Sequence, residues 1–212
     1  MLTTLLQSLL SLDQTLAALA SQYGAWLYAL LFAVIFAETG LVVTPFLPGD
    51  SLLFIAGTVA AGTALNVHLL VGLLILAAIL GDSVNYAIGN FIGPRVFDKP
   101  DSRWFKQEYL RRTQAFYDKY GAVTIVIGRF VPIIRTFAPF LAGVAGMSYR
   151  RFLAYNVIGA IVWVASLVYA GYIFGNIPWV KENLSFIVIG IVIVSLIPAL
   201  TTFLAERKAR TP

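Results

Sequence analysis

The chain is predicted to be an all-α polytopic membrane protein built from two inverted repeats. Each repeat is a re-entrant helical hairpin plus a transmembrane helix, with an N-terminal amphipathic helix ahead of them and a C-terminal transmembrane helix behind. Three observations predict this. Of 212 residues, 59% are hydrophobic and 12% charged, with a mean hydropathy of +0.85, too little polar surface to clothe a soluble globule of this size. Prolines interrupt the apolar runs at two places, around Pro45 and Pro48 and again at Pro132 and Pro139. Basic residues are absent before Arg95 and crowd the segment that follows it.

Taken in order, residues 1–22 carry Leu2, Leu5, Leu9, Leu12, Leu16 and Leu19. Alternating spacings of three and four make an amphipathic helix suited to a membrane interface. No basic stretch precedes it, so it does not read as a cleaved signal peptide. Residues 25–62 hold two apolar runs separated by Thr44-Pro45-Phe46-Leu47-Pro48-Gly49-Asp50, whose prolines and glycine break a helix. The second run is about a dozen residues where a span needs roughly 20. Hairpin 1 therefore reads as re-entrant, although two full crossings would leave the same topology.

Residues 67–92 make a complete span. Residues 95–120 hold Arg95, Lys99, Arg103, Lys106, Arg111, Arg112 and Lys119, cytoplasmic by the positive-inside rule. Their mixture with Trp104, Phe105 and Leu110 suits an anionic leaflet surface. Residues 121–147 are too short for two spans and contain both Pro132 and Pro139, so they form hairpin 2, leaving and re-entering on the cytoplasmic side. Spans at 150–175 and 184–204 follow, and the tail 205–212 carries Arg207, Lys208 and Arg210. The N-terminus is outside and the C-terminus cytoplasmic. One hairpin enters from each face, which is an inverted repeat, with Thr44-Pro45-Phe46-Leu47 set against Thr136-Phe137-Ala138-Pro139-Phe140-Leu141. Irregular backbone at that depth is tolerated only inside protein or beside water, so the hairpin tips should meet around a midplane polar cavity.

Charge inside these apolar segments identifies candidate functional residues. A guanidinium cannot shed its proton, so Arg129 and Arg135 at bilayer depth need carboxylate, phosphate, carbonyl or water partners. Hairpin 1 supplies Glu38 and Asp50. Twelve residues apart, they would lie about 18 Å apart on one continuous helix, so only a fold-back brings both to one cavity. Two acids from one repeat facing two arginines from the other is the expected constellation. Asp50 can equally be a helix N-cap, and Glu38 can equally be half of a static ion pair that locks the hairpins.

Asp82, Asn85, Tyr86 and Gly89 form one polar stripe at i, i+3, i+4 and i+7. They line an inner exit or satisfy a neighbouring helix. Asn156, Gly159 and Trp163 make a comparable face, better suited to packing. His68, just after Asn66, reads as an interfacial anchor. Glycines four apart at Gly89 and Gly93, and at Gly171 and Gly175, permit close helix approach without requiring a dimer. A homo-oligomer stays open.

Other chemistries are excluded. Without cysteine there is no disulfide or thiolate metal site, and one histidine cannot supply both the nucleophile and the acid of a two-histidine phosphatase. No metal, cofactor, nucleic-acid partner or enzymatic activity is expected.

Phe36-Ala37-Glu38-Thr39-Gly40, Pro45-Phe46-Leu47-Pro48-Gly49-Asp50-Ser51-Leu52-Leu53, Gly81-Asp82-Ser83-Val84-Asn85-Tyr86, Gly128-Arg129-Phe130-Val131-Pro132-Ile133-Ile134-Arg135-Thr136 and Tyr155-Asn156-Val157-Ile158-Gly159-Ala160-Ile161-Val162-Trp163 resemble the DedA family of bacterial inner-membrane proteins. That family is part of the VTT-domain superfamily, and the match is close to its namesake subgroup. The resemblance implies a flippase of phosphorylated lipid, recycling undecaprenyl phosphate across the inner membrane with coupling to protons. It maps the essential acids and arginines onto Glu38, Asp50, Arg129 and Arg135, with Thr136 beside the second arginine. The implied partners are membrane lipids, a polyprenyl phosphate or phospholipid substrate, and protons. A passive scramblase or a proton-coupled ion antiporter using the same acids are the alternatives.

An arginine binds phosphate bidentately. The expected mechanism has the acids occupy the arginines when the site is empty and release them on protonation.

Overall fold

The computed structural model describes residues 24–40, 49–97, 121–130, 132–175, 177–183, 186–187 and 190. The expected amphipathic helix 1–22, the hairpin 1 tip at 41–48, residues 98–120 of the basic segment, nearly all of the span 184–204 and the tail 205–212 lie outside the described residues. Among the described residues the regular structure is helical: α1 (Ala25–Gly40), α2 (Gly49–Gly62), α3 (Val67–Phe97), α4 (Val123–Gly128), α5 (Pro132–Val144), α6 (Tyr149–Phe174) and α7 (Pro178–Glu182). Val67–Gly93 of α3 and all of α6 are long and apolar enough to cross a membrane. At 1.5 Å per residue, the described parts of α1 and α2 are about 24 and 21 Å long.

Local chemistry sets several boundaries. Asn66 caps α3, its Oδ1 accepting the backbone N–H groups of His68 at 2.9 Å and Leu69 at 3.1 Å. α4 stops ahead of Pro132, which disfavours helical backbone before it and then opens α5 at a position where its missing N–H costs nothing. α5 is terminated two residues past Val144 by Gly146, whose φ of +71° only glycine adopts freely. The Met147 N–H reaches the Ala142 carbonyl and the Gly146 N–H the Gly143 carbonyl, both at 3.0 Å, a Schellman closure that turns the chain into α6. Pro139 lies inside α5, so of the two prolines expected to interrupt hairpin 2 only Pro132 ends a helix.

Two compact units make up the chain. The described residues of Met1–Val34, Pro48–Ile75 and Trp163–Pro212 form the first, and those of Ile35–Leu47 and Leu76–Val162 the second. In the first, α2 crosses the C-terminal half of α6 at backbone contact. A Cβ on Gly57 would sit 2.0 Å from the Val168 carbonyl oxygen and one on Gly171 2.0 Å from that of Phe54. The Thr58 hydroxyl crosses the same seam, donating to the Gly171 carbonyl at 3.2 Å.

In the second unit, α5 crosses α3 the same way. A Cβ on Gly143 would sit 2.2 Å from the Tyr86 carbonyl oxygen and one on Gly89 2.0 Å from that of Phe140. Beside this seam Tyr86 stacks on Phe152 with ring centroids 4.5 Å apart and donates its hydroxyl to the Met147 carbonyl. Tyr86, Phe152, Ile125, Ala122 and Ala142 form one buried cluster.

The glycine contacts align Phe54-Ile55-Ala56-Gly57 with Phe140-Leu141-Ala142-Gly143. That register differs from the expected pairing of Thr44-Pro45-Phe46-Leu47 with Thr136 onward, whose first half lies outside the described residues. Outward-facing side chains are large and apolar, among them Trp26, Phe91, Ile127, Ile173 and Trp179. In water such a surface would aggregate; against lipid chains it is solvated.

Candidate functional site

The second unit holds a buried polar cluster fed by five chain segments. α1 contributes Glu38 in its last turn, α3 contributes Asp82 and Asn85 from its middle, and Arg129 sits in the turn between α4 and α5. Arg135 and Thr136 come from the first turns of α5, and Asn156 from α6. None is more than 5% exposed, and Arg129 is among the largest fully buried side chains of the protein.

Two ion pairs organise the cluster. Arg135 Nη2 donates to Glu38 Oε1 at 2.6 Å. Arg129 Nη2 donates to Asp82 Oδ2 and to Asn156 Oδ1. Arg135 lies close enough to Asp82, and the two guanidiniums to each other, for their charges to interact. Buried charges of this kind persist only when paired and hydrogen-bonded.

Neutral groups hold these charges in position. Asn156 Nδ2 donates to the Ile79 carbonyl at 3.2 Å, turning its Oδ1 toward Arg129. Asn85 Nδ2 donates to the carbonyls of Thr39 at 3.3 Å and Thr136 at 2.8 Å. One amide thus ties the ends of two helices to α3, next to Glu38 and Arg135. Missing side chains matter as much. A Cβ on Gly81 would lie 1.9 Å from Thr39 Oγ1, so only glycine lets α1 approach α3 this closely. A Cβ on Gly159 would lie 3.0 Å from both Cδ and Nε of Arg129, so its absence makes the room that side chain occupies.

The structure distributes the candidate residues as follows. Glu38, Arg129, Arg135, Thr136, Asp82, Asn85 and Asn156 come together in the second unit. Tyr86 is occupied by its stacking and its bond to Met147. Asp50 belongs to the first unit, at the start of α2, where the Trp163 indole donates to its Oδ1 at 2.8 Å. Trp163 is fully buried, and nothing in its sequence surroundings marks it as the partner of an acid. Asp82 stood out in the sequence only as part of a polar stripe, yet it is a carboxylate that meets Arg129. His68 is exposed, its Nδ1 2.8 Å from the Tyr169 hydroxyl. Among the described residues no group of three or more acids or histidines is placed to hold a metal.

Residues 44–173 match the VTT domain. The chain is 52% identical over 207 residues to Protein DedA of Escherichia coli, covering 97% of this chain and 94% of that protein. It is 43% identical over 190 residues to an uncharacterized membrane protein of Mycobacterium tuberculosis, covering 89% and 83%. It is also 35% identical over 181 residues to the inner membrane protein YqjA of Escherichia coli, covering 84% and 80%. No solved structure matches the chain. A domain match through the centre and high identity along nearly the whole length agree: this is a membrane protein that belongs to the DedA family, built on the VTT domain.

Proposed function

We propose that the protein carries a phosphorylated lipid across the bacterial inner membrane together with protons, with undecaprenyl phosphate as the cargo that best fits its family. The observation that supports this most is the buried cluster of two arginines, each paired to a carboxylate, in a surround of apolar helices. A fixed cation beside a titratable anion is an exchange site. While the carboxylates are ionised they occupy the guanidiniums; once protonated, they leave two planar donors for a phosphate. Asp50, in the first unit, accepts the Trp163 indole N–H.

Alternating access in this reading uses the inverted repeat. The recurrence of Phe-x-Ala-Gly and of the glycine seams in both units supports it. The topology proposed puts residues before Val67 outside and residues 95–120 and the C-terminus in the cytoplasm, so the hairpins enter from opposite faces. The lipid tail stays in the bilayer while the headgroup passes the arginines.

The test is a vesicle assay. Purified protein is reconstituted with labelled polyprenyl phosphate, and headgroup exposure on each leaflet is followed with and without an imposed pH gradient. Flux that rises with an inward proton gradient and is lost in Arg135→Ala and Glu38→Gln is the expected result. Flux indifferent to the gradient would instead identify a passive scramblase, and flux unchanged in both variants would end the proposal.

A further inference from the structure

Asp82 and Asn85 stand three residues apart on α3, 1% and 0% exposed. Both hydrogens of the Asn85 amide are placed, on the Thr39 and Thr136 carbonyls, so its Oδ1 is fixed as an acceptor. That oxygen is buried and receives no hydrogen bond. Asp82 Oδ2 is held by Arg129, while Asp82 Oδ1 is likewise buried and receives none. Side chains three apart on a helix share a face, so that face carries two buried oxygens that both lack a donor. What is missing is hydrogen, and a buried acceptor left without one is costly.

We propose that Asp82 is the proton-binding residue of this cluster, and that Asn85 holds its neutral form. The proton adds to Asp82 Oδ1, the carboxylate becomes a carboxylic acid, and its new O–H donates to Asn85 Oδ1. One proton thereby satisfies both oxygens. The same event removes the negative charge that Arg129 faces on Asp82, so that an anion can take its place. The charged groups around Asp82 are Arg129 from the turn after α4, Arg135 from α5 and Glu38 from α1; Asn156 on α6 is neutral, and Tyr86 on α3 already donates to Met147. Among these described groups two cations balance two anions. A monoanionic phosphate arriving with one proton on Asp82 keeps the cluster neutral, which a dry site requires. This inference rests on the reading of the site as an anion site that takes up a proton, and it names the acceptor.

Infrared difference spectroscopy of the reconstituted full-length protein, lipid-phosphate-free, tests it as pH is lowered. The carbonyl band of a protonated carboxylic acid should appear in the unaltered protein, be absent in Asp82→Asn and shift in frequency in Asn85→Leu, where the hydrogen-bond acceptor is gone. Asp82→Asn is nearly isosteric; should it fail to fold, the frequency shift in Asn85→Leu decides. A band that survives in Asp82→Asn, that ignores Asn85→Leu or that vanishes in Glu38→Gln alone overturns the proposal. The two readings fail separately. A normal band without lipid flux in vesicles removes the transport reading alone, and proton-dependent flux without the band removes this assignment alone.

Discussion

At the scale of single residues, the energetics turn on what happens when one member of a buried pair is removed. Glu38→Gln leaves the Arg135 guanidinium with a weaker, neutral acceptor in a 5%-exposed site. Breaking a buried pair from one side costs about 3–5 kcal/mol. Thermal unfolding in detergent should show that loss for Glu38→Gln and a smaller one for Glu38→Gln combined with Arg135→Gln. Equal or greater loss in the double variant would mean the pair is not coupled. A second residue-scale outcome concerns Gly159→Ala, whose methyl would press on the aliphatic end of Arg129 at 3.0 Å. The side chain can yield only by moving Arg129 off Asp82 and Asn156, so the unfolding midpoint should fall and lipid flux should drop at least several-fold; unchanged flux would show that Arg129 placement is not limiting. For Asp50→Asn, the indole of Trp163 loses a charged acceptor at 2.8 Å. The expected outcome is a shift in emission maximum that disappears in Trp163→Phe.

At the scale of elements, two helix crossings rest on glycine. The backbone leaves no room at Gly57 or Gly143, where an added Cβ would meet carbonyl oxygens at 2.0 and 2.2 Å. Such collisions cannot be relieved by a rotamer change, and overpacking of this sort costs about 1–3 kcal/mol or more. Gly72 on α3 has nothing within 4 Å of its Cβ position. Gly57→Ala and Gly143→Ala should therefore lower the unfolding midpoint in detergent while Gly72→Ala does not, and equal midpoints would refute the seams. The helices themselves were legible beforehand. Apolar runs at 26–43 and 51–61 became Ala25–Gly40 and Gly49–Gly62, and spans at 67–92 and 150–175 became Val67–Phe97 and Tyr149–Phe174. Asn66, Pro132 and Gly146 act through local backbone chemistry, so their effects need no tertiary context. Pro139 shows the limit: an internal proline does not always end a helix, because the surrounding protein can supply what the backbone loses.

At the scale of the whole molecule, orientation and directionality are the open functional quantities, and the sequence offers a clean way to measure them. The chain contains no cysteine, so single cysteines report accessibility without background. A cysteine at Thr63 should react with impermeant reagent from the outside of intact cells, and one at Ser148 only after the membrane is opened. The reverse pattern would invert the proposed topology and with it the direction of proton-driven transport.

Composition, run length and the position of basic residues were enough to establish a helical membrane protein and most helix boundaries, because hydrophobic transfer and backbone hydrogen bonding act over a few consecutive residues. The same local reasoning marked Glu38, Arg129 and Arg135 as costly charges that need partners, and linked Asp82 and Asn85 through helical spacing. Which acid meets which arginine was decided by the tertiary structure alone. Asp82 with Arg129 is a contact across 47 positions, Glu38 with Arg135 across 97 and Asp50 with Trp163 across 113. Pairings over such separations depend on how closely helices cross, and that distance is set by glycines whose missing side chains leave no pattern of their own until the helices are packed.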